Sequence, residues 1–491
     1  MKHLVPDYIY TPQGLQSNMV VSITDDGRIA SITPQGETNL PYTGRFFTES
    51  ALERAGEGTA GDHKGPPFPT PPPSPACWIN PHSTTDDDAS KNPTCERTNV
   101  PPSNVSVLPG VALLPGFVNT HSHVFQRALR GHTHRPLSKQ DTFWTWRSAM
   151  YAEAQRLHPD LLYERALATY REMLAAGYTS VGEFHYVHHQ SGGRPYADPN
   201  AMSEAILQAG RDAGIRVVLL MTAYAQSGFN QQPEESQLRF CDSSADAYLD
   251  RVEALRVTGV PIGVAPHSVR AVPEDWFRAI AGYSKDHRLP LHVHADEQMA
   301  EIEQCYAVYG CTPIELLERF GVLGALTTIV HATHADATEV ALLAQRGCTV
   351  CVCPTTEGDL GDGIAPYAEL LAAHIPLAIG SDSNTRLDPI EELRWAEYSA
   401  RMRYQRRRVL VADELASPGP LLLDYGTRRG AAALGIETGV IAPGMHADFV
   451  AVDIHHPSLV GWTAADFLDV FFFGTSSEVV VGTWVQGKKA F

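Results

Sequence analysis

The chain has 491 residues, 43% of them hydrophobic and 19% charged, the balance of a folded globular protein rather than a disordered one. Its 38 basic and 56 acidic residues leave a formal charge of −18, which argues against nucleic acid and anionic membranes as partners because a negative field repels phosphates. No apolar run approaches the ~18–20 residues of a membrane helix, the start MKHLVPDYIY lacks the apolar stretch of a secretory signal, and eight cysteines, mostly in apolar runs such as CTVCVC (348–353), fit a reducing, cytoplasmic setting better than a disulfide framework.

In chain order, NMVVSITDDGRIASIT (18–33) holds two β-prone runs around Asp26-Gly27, a hairpin signal. Residues 45–106, with GPPFPTPPPSP and TTDDDASKNPT, carry too few large aliphatic side chains to offset ordering entropy and read as a flexible insertion. Residues 107–436 alternate. Short apolar strands are expected at VALLPGFV (111–118), YTSVGEF (178–184), RVVLLMT (216–222), PIGVAP (261–266), LPLHVHA (289–295), TTIVHA (327–332), TVCVCP (349–354) and PLAIGS (376–381). Helical stretches follow most of them; LLYERALATYREMLAAG (161–177) puts Leu162, Ala166, Tyr170, Met173 and Leu174 near one face and stops at Gly177. Eight strands with helices between them predict a (β/α)8 barrel. An open doubly wound sheet is the alternative, but no GxGxxG or GxxxxGK[ST] follows a strand to support it. The β-rich ADFVAVDI (447–454) and SSEVVVGTWVQGKKAF (476–491) match the flavour of the N-terminal hairpin. A small β-sandwich built from residues 1–44 and 437–491 is therefore expected, since termini often lie close together.

A barrel carries its functional residues at the C-terminal ends of its strands, and metal-ligand residue types fall there. His121-Ser122-His123 follows the first strand; two residues apart on an extended chain, both imidazoles face one side. His294 ends the fifth strand in HVHADE, with Glu297 three residues on, and His331 ends the sixth in IVHATH. Asp382 follows the eighth in AIGSDS, either as a ligand or as the cap of the next helix, a role for which Asp388 competes. His292 reads as a core histidine, and His334 falls outside the site. Three imidazoles, a carboxylate and an open position suit hydrolytic zinc, and a nearby carboxylate such as Glu297 can carry a proton from water to a leaving amine. Only Lys139 and Lys285 occur in the barrel region, neither in an expected strand, which favours one metal over a lysine-bridged pair.

A second set bears on substrate. Gln126 and Arg127 follow HSHVF, DTFWTWR (141–147) sets Arg147 behind three aromatics, HYVHH sets Tyr186 in a loop, and PHSVR sets His267 and Arg270 at the barrel mouth. Two arginines beside a metal pocket can bind carboxylates bidentately, or each can make a structural ion pair. The arginine cluster at 401–408 reads as a solvated helix face, and the lone Cys348–Cys351 CxxC as buried packing.

The HSH motif after PGFVN, together with HVHADE, IVHATHAD, GSDS and PGMHADFVAVD, resembles the amidohydrolase superfamily. The longer motifs HSHVFQRALRG, DTFWTWRSAMY, GYTSVGEFHYVHH, HSVRAV, LGDGI and EELRWAEY resemble its branch of N-formimino-L-glutamate deiminases. The similarity covers about residues 107–491, more weakly 1–44. It implies the barrel and two-ended β-sandwich, and one divalent ion, zinc, on His121, His123, His294 and Asp382. It also implies Glu297, His331 and Asp382 as catalytic groups and Gln126, Arg147, Tyr186, His267 and Arg270 as substrate-binding groups. The implied substrate is a small dicarboxylate with a formimino head and the implied assembly a homodimer; a superfamily deaminase of purine or pterin rings is the rival. Asn384 stands where the branch is expected to carry His.

Overall fold

The computed structural model describes residues 1–38, 104–134 and 143–491. Residues 45–103 of the expected insertion lie outside them, and its last residues, Val105 and Ser106, open a strand. None of the described helices is long and apolar enough to cross a membrane.

Two eight-stranded sheets organise the described residues. The first draws on both chain ends: β1 (Lys2–Thr11), β2 (Gly14–Ser17), β3 (Met19–Ile23), β4 (Ile29–Pro34), β5 (Val105–Pro115), and then β14 (Phe449–Asp453), β15 (Val480–Val485) and β16 (Lys488–Lys489). Its order is β16-β15-β14-β5-β1-β3-β4, with β2 paired to β1. The expected hairpin is β3–β4, antiparallel with Val21 opposite Ile32. Period-2 alternation gives this sheet two apolar faces. Val111 and Leu113 of β5 join Phe449 and Ala451 of β14 in a core of its own, while Ala112, Leu114, Val450 and Val452 point the other way into the main core. The buried Arg216 side chain, at the start of a barrel strand, pairs with buried Asp448 at the foot of β14.

The second sheet is the barrel: β6 (Phe117–Ser122), β7 (Tyr178–His185), β8 (Arg216–Ala223), β9 (Ile262–Pro266), β10 (Leu291–Ala295), β11 (Thr327–His331), β12 (Thr349–Val352) and β13 (Leu377–Ile379), neighbours in sequence and all parallel. One strand differs from the sequence reading. The run 111–118 is not a single barrel strand: residues to Pro115 pair with β1 and β14, and the barrel starts at Phe117. Pro115-Gly116 divides two equally apolar segments, so hydrophobic pattern alone could not separate them.

The ends of the second sheet, β6 and β13, meet at a bridge between Ser122 and Asp382. The His123 amide donates to the Asp382 carbonyl at 2.9 Å, and the Asp382 amide to the His121 carbonyl at 3.0 Å. Close approach here requires glycine: a Cβ on Gly380 would sit 2.7 Å from His121 Cβ. The helix Pro159–Ala175 buries the expected face, with Leu162, Ala166, Tyr170, Met173 and Leu174 all inside; His158 caps its start by accepting from the Leu161 amide, and Pro159 occupies the first turn.

Candidate metal centre and pocket

His121 is the last residue but one of β6, Ser122 closes it and His123 follows; the two imidazoles, two residues apart, fall on one side with Ser122 between them. His294 comes from β10, and Asp382 lies just past β13. These four converge, each offering one ligand atom within 4.8 Å of all the others. His121 Nε2 lies 3.1 Å from His123 Nε2, 3.2 Å from His294 Nε2 and 3.3 Å from Asp382 Oδ1. His123 Nε2 is 3.2 Å from the same Oδ1. Ligand atoms ~2.0–2.2 Å from one tetrahedral ion stand about 3.4 Å apart, so the spacing fits.

The protons make the same point. His123 Nδ1 donates to the Phe184 carbonyl at 2.8 Å and His294 Nδ1 to the His267 carbonyl at 3.0 Å, so both Nε2 atoms present lone pairs to the centre. One proton on His121 Nε2 could serve only one of its three acceptor neighbours; a cation serves all of them. Burial holds His121 neutral, down to about 3, and with His267 and His121 nearby holds His294 well below the ordinary imidazole range. Burial opposes the charge on Asp382, but His121 and His123 outweigh it and keep the carboxylate ionised. The donor set therefore fits a divalent ion such as zinc.

His331 and Glu297 stand beside this cluster. His331 Nε2 is 3.9 Å from both Glu297 and Asp382, and its Nδ1 is 3.3 Å from Glu357 Oε1. Burial works against protonation of His331, yet Glu297, Glu357 and Asp382 together raise it well above its ordinary range. Glu297 is raised, mainly by burial. His331, Cys353 and Glu357 form a second group with ligand-type atoms, but Glu357 Oε1 already accepts from the Cys353 amide at 2.8 Å and faces His331 Nδ1, so it anchors His331. Backbone at these strand ends is unusual: His331, Asp382 and Asn384 have φ of 74°, 45° and 60°, a left-handed conformation that such residues adopt at a cost and that concentrates at functional sites.

One pocket joins these groups to the expected substrate residues. His123, His294, Glu297, His331 and Asp382 line it together with Gln126, Arg147, Tyr186, His267 and Arg270, a concave site with convergent polar groups. Gln126 Nε2 donates to the Tyr186 hydroxyl at 3.0 Å, and His267 Nδ1 lies 3.1 Å from Ser268 Oγ. The two arginines differ. Arg270 is buried and pairs with buried Glu301 through Nε at 3.0 Å, so the structural pair and the pocket position coexist. Arg147 has no carboxylate partner among the described residues. Its Nε donates to the Tyr151 hydroxyl at 2.5 Å, and its charge lies over the Trp144 and Tyr151 rings.

Other residues settle into packing roles. Asp388, not Asp382, caps the helix Pro389–Tyr404, accepting from the Ile390 and Glu391 amides. His292 faces the Ala433 carbonyl at 3.1 Å in the core. Arg127 turns to the Asn384 and Thr385 carbonyls and to Glu172. In the arginine cluster, Arg401 pairs with Glu397, and Arg408 donates to the Glu414 and Ala416 carbonyls. Cys348 and Cys351 are free and buried. Sequence reasoning missed Tyr151, Glu183, Tyr224, Glu301 and Glu357. Glu183 had a signal, a lone acid in the apolar run SVGEF; Glu301 and Glu357 look like ordinary first-turn helix acids.

A profile of the amidohydrolase family matches residues 112–490. The chain is 40% identical over 384 residues to the formimidoylglutamate deiminase of Pseudomonas aeruginosa, covering 77% of this chain and 84% of that protein. It is 31% identical over 399 residues to the 8-oxoguanine deaminase of the same species, covering 76% and 83%. Among solved structures, an amidohydrolase from Brucella melitensis superposes with a TM-score of 0.79 at 30% identity over 100% of this chain and 94% of that one. A zinc-bound adenosine deaminase from Xanthomonas campestris shares the fold, with a TM-score of 0.71 at 21% identity over 99% and 92%. Matched by its family over most of its length, and by relatives that it covers by more than two thirds, this chain belongs to the amidohydrolase family.

Proposed function

We propose that the chain hydrolyses N-formimino-L-glutamate to N-formyl-L-glutamate and ammonia, a step of histidine degradation, with one bound zinc ion. The observation that carries this reading is a pocket in which His123, His294 and Asp382 of the cluster, with Glu297, share the lining with two arginines, one of them without a carboxylate partner among the described residues. An acyclic dicarboxylate with a hydrolysable C–N bond matches that arrangement better than a purine or pterin ring does. The 40% identity to a formimidoylglutamate deiminase points the same way.

In this reading His121, His123, His294 and Asp382 hold the ion, which when bound polarises the imine and eases loss of a proton from water. Glu297 takes that proton as water adds to the formimino carbon, then delivers it to the departing nitrogen. Asp382 accepts a hydrogen bond from the same water and assists the transfer. His331, cationic between Glu297, Glu357 and Asp382, stabilises negative charge on the adding oxygen. The hydroxyl proton of the adduct then passes by way of Asp382 to the same nitrogen as its bond to carbon breaks, leaving the formamide carbonyl and ammonia. Gln126, Tyr186, His267, Arg147 and Arg270 hold the substrate so that the carbon stays in line with the attack. The reading extends to a homodimer, on the family resemblance alone, and to a cytoplasmic setting without nucleic-acid or membrane partners, which the −18 charge and the free cysteines among the described residues suit.

Ammonia release by the purified, zinc-loaded protein tests it: turnover of N-formimino-L-glutamate and none of guanine is expected, and the reverse would overturn the assignment. Arg147→Met and Arg270→Met should each raise KM by about 10- to 100-fold, the loss of a charged hydrogen bond of roughly 1.5–3 kcal/mol, with smaller changes in kcat. Unaltered kcat/KM in both variants would remove the arginines from carboxylate binding.

A further inference from the structure

The acid that sequence reasoning passed over, Glu183, stands in β7 directly opposite Ser122 of β6. Its side chain is 1% exposed and takes no part in the chemistry above. Oε1 accepts from the Val124 amide at 2.8 Å, and Oε2 accepts from the Ser122 hydroxyl at 2.9 Å. Ser122 and Val124 are the two chain neighbours of His123. The next residue, Phe184, accepts the His123 Nδ1 proton on its carbonyl at 2.8 Å and turns its ring onto His121 and His294, with centroids 4.9 and 4.5 Å away. The dipeptide Glu183-Phe184 thus grips His123 at three points: the backbone after it, the side chain before it and the ring nitrogen turned away from the cluster. Ser122 Oγ in turn accepts from Asn384 Nδ2 at 3.1 Å, and Asn384 Oδ1 accepts from Ser381 Oγ. The chain of contacts reaches both sides of Asp382. It links strands that supply three of the four converging side chains.

We propose that Glu183 is a positioning residue for the metal centre, holding the Val124 backbone and the Ser122 side chain on either side of His123 so that its Nε2 meets those of His121 and His294 at ligand spacing. A hydrogen-bonding atom at each end of the side-chain head, one for the Val124 amide and one for Ser122 Oγ, is what this task needs. Gln can reproduce it, with Oε1 accepting from Val124 and Nε2 donating to Ser122 Oγ once that hydroxyl turns toward Asn384. Ala cannot.

The inference rests on the reading of this cluster as a metal site, and zinc affinity measured with the metal alone, by competition with a chromophoric chelator, separates the two. Wild type should bind stoichiometrically; if it binds no zinc, the metal site itself is wrong. Given wild-type binding, Glu183→Ala should weaken zinc by about 10- to 100-fold, as loss of a partner behind a ligand does. Ser122→Ala, a milder change that keeps the Val124 contact, should weaken it by about 3- to 10-fold, and Glu183→Gln should stay within about threefold of wild type. Folding of each variant is checked by thermal melting of the apoprotein. Zinc affinities of Ser122→Ala and Glu183→Ala within about twofold of wild type would overturn the proposal. So would a Glu183→Gln protein as weak as Glu183→Ala. Should Glu183→Ala fail to fold, the Ser122→Ala and Glu183→Gln pair decides alone.

Discussion

Glu297→Gln is expected to keep its zinc and lose at least about 100-fold in kcat, the lower end of what positioned acid–base groups contribute. Gln has the shape of Glu and can keep its place in the pocket wall beside His331 and Arg270. It cannot take a proton from water and give it to nitrogen. Loss of turnover with metal retained would therefore isolate the proton transfer from binding. Ammonia release and elemental analysis of the same preparation provide the two readings; turnover at the wild-type level would remove Glu297 from the mechanism.

The second large effect is expected at Asp382. Asp382→Ala leaves three imidazoles around the centre with no carboxylate donor. The bridge to Ser122 is made by backbone atoms, so the strands can still meet. Zinc content should fall well below one ion per chain. A Lewis acid contributes several kcal/mol to such a reaction, and about 1.4 kcal/mol is tenfold in rate, so activity should fall by about 1000-fold or more. A variant with full zinc and full activity would exclude Asp382 from the ligand set.

Much of this was legible in the sequence because the barrel repeats a simple grammar, an apolar strand followed by a chemical residue. His121, His123, His294, His331 and Asp382 could be located from strand ends alone, and the pocket collects all five residues expected to touch substrate. Two kinds of information were not there. Pro115-Gly116 separates two strands that share one hydrophobic pattern but belong to different sheets, and only pairing partners distinguish them. Supporting acids were equally hidden: Glu301 on Arg270 and Glu357 on His331 act across distant segments, and helix acids at such positions ordinarily face solvent. Asn384 shows the converse. The motif flagged it as a departure, and only its contacts with Ser122 and Ser381 reveal the work it does at the seam.

That seam has a consequence for biosynthesis. Asn119 of the first barrel strand bonds Ser381 of the last segment, 262 residues later. At translation speeds of ~5–20 residues per second, roughly 10–50 s separate their emergence from the ribosome. Any parallel sheet that forms within that interval is still open, with an unpaired edge of the kind that recruits neighbouring chains. The β5 strand waits longer still for β14. Folding yield in the cell should accordingly depend on chaperone capacity and on expression rate more steeply than the stability of the finished enzyme would suggest.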